Sequence, residues 1–281
     1  GQFLAHLSKV DALAHVVRAF EDERVPHVEG SVDPDRDIGA MNLELAFSDL
    51  GIIERRLERL KDSLKGARQQ ERDTLLKEQN LLSRLKTSLE GDVPLREQEL
   101  SEQEHKEIEN FQFLTAKPML LLLNIGENQI PQTGPLESEF GNRYKRRNCE
   151  VAALCGQIEM ELAQLSDDDA REFRDSMGLS ESGLDRAIRL SYSLLGLISF
   201  FTTASDEVKA WTIRHNTTAQ KAAGKVHTDM ERGFIRAEVV GFDDLVRCGT
   251  MAEARKQGVL HLEGKTYIVQ DGDVVTVLFN V

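Results

Sequence analysis

The 281 residues carry 48 acidic and 35 basic side chains, a formal charge of −13. That balance excludes a general electrostatic footprint on nucleic acid and leaves only local basic patches, of which Arg143–Arg147 (RYKRR) is the densest and reads first as a solvated loop. With 40% apolar and 30% charged residues, the composition excludes a disordered chain and allows a sizeable core in about one to three domains.

Met119–Leu123 and Leu194–Phe201, the longest apolar runs, are far too short to span a bilayer, so no membrane partner is expected. No basic segment followed by an apolar one marks the N-terminus for secretion. The three cysteines, Cys149, Cys155 and Cys248, form neither a CxxC pair nor a ligand cluster. They read as free thiols in a reducing compartment, and the expected location is the cytoplasm.

In chain order, Ala12–Phe20 (ALAHVVRAF) is apolar enough for a buried parallel strand. The polar turn Val32–Asp37 closes that unit. Leu43, Phe47, Leu50, Ile53, Leu57, Leu60 and Leu64 then recur at spacings of three and four, which places them on one helix face. Gly66 interrupts the pattern, and a second stripe runs Leu75, Leu82, Leu85, Leu89 to the stop at Gly91–Pro94. Two such helices predict an antiparallel hairpin. Ser101 with Glu104 has capping-box spacing and opens a helix toward Phe111.

Met119–Leu123 (MLLLL) fits a central parallel strand, Val151–Leu154 a weaker one, and Ile158–Leu165 a helix. Strand–helix units flanking a helical insertion predict an interrupted α/β sheet. From about Leu197 short strands follow: Val208–Ile213, Phe234–Val240, Val259–Leu262, Tyr267–Val269 and Val274–Phe279. Glu263–Lys265 and Asp271–Asp273 are the expected hairpin turns, and Ala252–Lys256 a helix ending at Gly258. This region reads as a separate mixed sheet crossed by a helix.

Asn124-Ile-Gly-Glu127 directly follows the MLLLL strand. The carboxyl end of a parallel strand is where an open α/β sheet presents ligand groups, and an asparagine there offers a donor and an acceptor to a purine edge. Alone, NxxE is also an ordinary turn. In context, Phe113–Glu127 (FLTAKPMLLLLNIGE) resembles the strand and base-recognition motif of the YchF group of Obg-like P-loop ATPases, where NxxE replaces the guanine-selective NKxD. Gly1–Phe20 resembles the segment after switch II, Val32–Leu45 the entry to an inserted arm, and Leu154–Glu159 (LCGQIE) the second base-contacting loop. His227–Glu238 and Gly264–Val281 closely resemble a TGS domain, a ubiquitin-like β-grasp module.

The resemblance implies a partial P-loop NTPase domain over residues 1–36 and 111–196, an inserted coiled-coil arm over 37–110, and a TGS domain over 197–281. It implies ATP as ligand, Mg2+ as its companion ion, hydrolysis as the activity, and a ribosome or ribosomal subunit as partner, with RNA contacts. The base-binding residues would be Asn124, Ile125 lining the pocket, Glu127, Cys155, Gly156 and Gln157. Cys155-Gly156-Gln157 departs from the usual SAK. No GxxxxGK[ST] loop is found in the 281 residues. The expectation is therefore an N-terminally truncated chain, inactive alone, whose catalytic residues lie outside it.

Two other readings stand beside this one. A non-enzymatic module docking RNA or protein needs no P-loop, and the acidic balance is also compatible with a protein partner alone. Among single residues, oxidation of Cys155 would disturb base binding if the thiol were reachable, against the plainer reading of a buried cysteine. The seven histidines form no HxxxH or Cys–His cluster, which argues against zinc. His15 reads as a hydrogen-bonded core or edge residue, and His227 as part of an interaction surface. Asp167–Asp169 read as a helix N-terminus, and Phe200, Phe201 and Trp211 as packing rather than a base-stacking platform.

Overall fold

The computed structural model describes residues 6–146, 148–204 and 207–280. Parts of the stretches quoted above, Gly1–Ala5, Arg147 and Val281, lie outside the described residues. The chain divides into two compact units, Gly1–Leu194 and Leu195–Val281. No helix among the described residues is long and apolar enough to cross a membrane.

The first unit is built on a parallel sheet of β1 (Leu13–Arg18), β2 (Met119–Asn124) and β3 (Cys149–Leu154), in that order. In β2 the run Met119–Leu123 is buried throughout because both faces are covered. Leu121 and Leu123 enter a core with Val17, Phe140 and Ile158, while Leu120 and Leu122 pack with Ala152, Leu190 and Leu194. That two-way split is the period of a strand, hidden in a sequence that reads as continuous leucine. Connecting β2 to β3 is α4 (Thr133–Tyr144). α5 (Gly156–Leu162), α6 (Asp167–Ser176) and α7 (Gly183–Leu195) follow β3. Ser166 caps α6 through Asp169 N, and the three aspartates fill its first turn, where the helix dipole favours negative charge.

Between β1 and β2 lie α1 (Pro34–Gly66), α2 (Gln69–Glu90) and α3 (Glu102–Glu109). Asp33 caps α1, accepting from Arg36 N at 3.1 Å, with Pro34 in the first turn where its missing N–H is harmless. The capping box at Ser101 and Glu104 is present in full. Ile53 and Leu60 of α1 pack on Leu81, Leu82, Leu85 and Leu89 of α2. Across the same seam Arg56 donates to Glu78 at 2.6 Å and Lys86 pairs with Glu54 at 2.8 Å. The pairings run in opposite directions along the two helices, so they are antiparallel.

Leu43 and Phe47, placed on the seam by spacing, are 47% and 65% exposed. The buried line instead passes through Ile38, Leu45, Asp49, Ile53 and Leu60. The reason is that α1 has two neighbours. Its first half faces the sheet, where Leu45 packs with Leu13, Leu114 and Met119, and only its second half faces α2.

Asp49 holds this junction. Fully buried in mid-helix, it accepts from Leu114 N at 2.9 Å, Thr115 N at 2.8 Å and the Thr115 hydroxyl at 2.7 Å. Burial pushes its carboxyl pKa up, and the three donors work against that shift.

The second unit is a five-stranded sheet in the order β5-β4-β8-β6-β7. Its strands are β4 (Leu197–Ala204), β5 (Glu207–Arg214), β6 (Phe234–Gly241), β7 (His261–Glu263) and β8 (Asp273–Phe279). β4 and β8 are parallel, and the other pairs antiparallel. On one face Ala219, Ala222 and Ala223 of α8 (Ala219–Val226) pack with Phe200, Ile213 and Val275. On the other, α10 (Phe242–Cys248) and α11 (Met251–Lys256), which follow the short α9 (Thr228–Arg232), lay Leu245, Met251 and Ala254 against Val240 and Val274. Gly233 is needed before β6, since a Cβ there would sit 2.1 Å from the Asn280 carbonyl oxygen.

Tyr267–Val269, expected as a strand, contributes only an isolated bridge from Ile268 to Thr218. Its place is taken by a turn locked by buried Asp273, which accepts from the Tyr267 hydroxyl at 2.9 Å and Gln270 N at 2.8 Å. Glu263–Lys265 is accordingly no hairpin turn, because β7 pairs with β6 alone. Phe200 is fully buried and Trp211 donates to Thr202 Oγ1 at 2.9 Å, so both serve packing.

Candidate nucleotide-base site

The three parallel strands end in step: Arg18 is registered with Asn124, and Asn124 with Leu154. Their following loops therefore open on one edge of the sheet, the place where ligand groups gather in open α/β folds.

The first loop, 20–25, is organised by Arg18 at the end of β1. Its guanidinium donates to Phe20 O at 2.9 Å and Asp22 O at 3.3 Å and lies 4.7 Å from the Phe20 ring centre. Asp22 in turn accepts from Arg24 N at 2.9 Å and Arg24 Nε at 3.0 Å. These Arg24 hydrogen bonds hold the Asp22 carboxyl below its usual range.

A side-chain hydrogen bond joins the second and third loops. Gly156 N donates to Asn124 Oδ1 at 3.0 Å. A backbone N–H can only donate, so the atom facing it is the amide oxygen, and the Asn124 Nδ2 remains available as a donor. A purine N7 is an acceptor of that kind. Glycine suits the close approach: a Cβ at position 156 would lie 3.1 Å from Asn124 Oδ1, tighter than an ordinary contact. Ile125 N also donates to Leu154 O at 2.9 Å, tying the second loop to β3.

Glu127 and Gln157 are exposed and line an open cavity of about 850 Å³ together with Phe20, Asp22, Gly126 and Met177. Ile125 and Cys155 behave differently. Ile125, expected to line the pocket, is 2% exposed and packed in the sheet core with Ile158. Cys155, at the N-cap of α5, is 7% exposed in the same core. A thiol so placed is shielded from oxidants, and its burial gives the redox reading no support.

Thus Asn124 and Gly156 are in direct contact, Glu127 and Gln157 face the same hollow, and Ile125 and Cys155 support from beneath. The sequence reading missed Phe20, Asp22 and Arg24, whose signal was a polar run directly after an apolar strand. Ser176 and Met177, from the end of α6, also reach the cavity and carry no such signal. His15, on the edge strand β1, has its Nδ1 buried with no hydrogen-bond partner, and burial lowers its pKa. His227 is exposed and accepts from Asp229 N at 3.2 Å as a helix cap. In the basic run, Arg143 pairs with Asp35 and Glu139 and Lys145 with Glu150, so these charges are already engaged.

The chain is similar along its whole length to named proteins of one kind. The ribosome-binding ATPase YchF of Bacillus subtilis is 42% identical over 282 aligned positions, covering 100% of this chain and 76% of that protein. The chain belongs to the YchF/Obg-like ATPase family. Within this YchF family, Obg-like ATPase 1 of Caenorhabditis elegans is 38% identical over 99% of the chain and 70% of its own length. The solved structure of the Schizosaccharomyces pombe YchF GTPase superposes with a TM-score of 0.85 at 32% identity, covering 98% of this chain and 74% of that one. The family model YchF-GTPase_C, described as a protein of unknown function (DUF933), matches residues 197–280. By their names, the YchF relatives are nucleotide hydrolases, described as ATPases in two cases and as a GTPase in the third.

Proposed function

We propose that this protein is a nucleotide-dependent switch of the YchF type, which binds and hydrolyses ATP and associates with ribosomes or ribosomal subunits. The observation that carries the nucleotide part is the bond between Asn124 Oδ1 and Gly156 N, which brings two loops together at the sheet edge with a free amide donor. Asn124 reads a purine without discriminating its kind, since N7 is an acceptor in both adenine and guanine. Preference for adenine is assigned to the glutamate at 127, where a guanine-selective site carries aspartate. Glu127, Gln157 and the Phe20–Arg24 loop form the rim, and Gly156 gives the base its close approach.

Phosphate chemistry requires a different set of groups. A loop of the GxxxxGK[ST] kind and the side chains that place Mg2+ have no counterpart among these 281 residues. The residues present therefore hold the base, and no hydrolytic step is assigned to them. The ribosome is proposed from the names of the relatives, ribosome-binding ATPases from several bacteria. The second unit is assigned as a TGS-type β-grasp module, on its strand order with parallel central β4 and β8. The α1–α2 hairpin is assigned as the arm that nucleotide binding positions.

Equilibrium binding of ATP and GTP, measured side by side with Asn124→Ala, tests the site. ATP is expected to bind more tightly than GTP, and Asn124→Ala to weaken both by about tenfold, the loss of one or two hydrogen bonds. A preference for GTP would overturn the assignment of adenine selectivity to Glu127.

A further inference from the structure

The loop between α2 and α3 carries Arg96, which is 6% exposed. Its guanidinium has five donors. Two reach acceptors only at the long limit, Thr115 O at 3.5 Å and Asn42 Oδ1 at 3.4 Å, and the buried Nε has none. No ion pair forms with it among the described residues; burial pushes its pKa down, and Cys149, Glu97 and Asp49 lie near enough to act on its charge.

The charge balance of this region is uneven. Its buried charged groups are Asp49, Arg96 and Lys117, two cations against one carboxylate, beside the buried Cys149 thiol, whose pKa burial pushes up. Both oxygens of Asp49 are already occupied by Leu114, Thr115 N and the Thr115 hydroxyl, while Lys117 donates to Val10 O at 2.6 Å. A buried cation without a partner is costly, and one unit of negative charge would close the balance.

Arg96 lines a cavity of about 270 Å³. Asn42 and Thr115 share its polar part, and Leu43, Ala46, Leu89, Val93 and Pro94 make apolar walls. Leu43 and Val93, on the rim, are 47% and 41% exposed, so the cavity opens to solvent across an apolar lip. Asp92, also exposed and at φ 59°, is the one acidic residue lining it. The site lies near Thr115, in the segment before β2, whereas the proposed base site lies beyond Asn124 at the strand's other end.

We propose that this cavity is a binding site for a small organic monocarboxylate, its carboxylate on Arg96 and Asn42 and its apolar body against Leu43, Leu89 and Val93. Arginine suits a planar carboxylate, which can take two parallel N–H donors. Inorganic phosphate and nucleotides are disfavoured: the walls supply no second cation, and Asp92 repels a polyanion at the mouth. The ligand couples the α1–α2 seam to the segment before β2, because Leu89, Arg96 and Thr115 all border it.

Benzoate is the probe, with benzamide as its neutral counterpart and inorganic phosphate as the anion control, each titrated at constant ionic strength. Thermal unfolding of the 281-residue protein and the 15N resonance of the Arg96 Nε–H are followed together. Benzoate is expected to raise the unfolding temperature saturably and to shift the Arg96 resonance, while benzamide and phosphate do neither. Arg96→Met should weaken benzoate binding about ten- to a hundredfold, as loss of charge-assisted hydrogen bonds does. Leu43→Trp is the second variant. It blocks the lip at an exposed position that folding does not depend on, and it should abolish the benzoate effect with Arg96 intact. Equal response to benzoate and phosphate, no saturable response to benzoate, or an unchanged response in Leu43→Trp would each overturn the proposal.

Discussion

Asp49 shows how one side chain can join two parts of a fold. Its carboxylate sits in the middle of α1 and satisfies two backbone N–H groups and a hydroxyl in the segment leading to β2. Replacing it by alanine leaves those donors buried and unpaired. Asp49→Ala is expected to cost about 3 kcal/mol in urea unfolding, well above a surface substitution in the same helix. Asp37 acts differently, through pH. Burial pushes its carboxyl up, but Arg36 at 3.0 Å and His27 at 2.9 Å outweigh that and hold it below the usual range. A depressed folded-state pKa means stability that is present above the unfolded carboxylate pKa and lost as pH falls through the folded value. Unfolding measured from neutral pH downward should show a loss through the acid range that is smaller in Asp37→Asn. An identical pH profile in the variant would contradict this role. Of the residues proposed for the base site, Asn124 is singled out by its place after a strand, and Glu127, Gly156 and Gln157 by the family resemblance. The inward turn of Ile125 and Cys155 was not legible, because position in a motif does not say which face of the sheet a side chain takes.

At the scale of elements, the helical hairpin divides its load unevenly. Leu82 and Leu85 are wholly buried between α1 and α2, whereas Phe47 stands 65% exposed on the outer side of α1. Leu85→Ala is expected to destabilise by about 2–5 kcal/mol, the range for emptying a leucine site in a packed core. Phe47→Ser should change stability by less than about 0.5 kcal/mol. Urea unfolding of the two variants checks the pair, and a large effect at Phe47 would restore the seam that leucine spacing suggested. Caps and stops were readable because they are local: Gly66, Ser101 with Glu104, and Gly91–Pro94 mark element ends, whereas Val32–Asp37, expected as a turn, already starts α1 at Pro34 behind the Asp33 cap. Tyr267–Val269 reads as a strand by composition, but Asp273 draws the chain into a turn that leaves it only the Ile268–Thr218 bridge.

Across the whole molecule, charge is distributed very unequally. Residues 195–281 hold ten basic and eleven acidic side chains, so nearly all of the −13 belongs to the rest of the chain. A near-neutral second unit is compatible with RNA contacts that the overall balance disfavours. If ribosomal RNA is touched directly, binding to ribosomal subunits should weaken steeply as salt rises, because each phosphate contact releases counterions. A flat salt dependence in a sedimentation assay would point to a protein surface instead.

Sequence by itself determined the class of the fold, the helical insertion within a parallel sheet, the separate C-terminal sheet and the loops that follow β2 and β3. Each of these rests on local information: hydrophobic period, caps, turn residues and motif spacing. Only the tertiary structure decided which apolar face of α1 is buried, which motif residues reach the cavity, and that Arg96 lies buried without a carboxylate. Those depend on neighbours brought from more than fifty positions away, as Asp49 meets Thr115 and Arg96 meets Asn42. No pattern within one segment records which distant segment will cover it. The NxxE loop after β2 was visible in the chain, but its bond to Gly156, which ties the two loops together, was not.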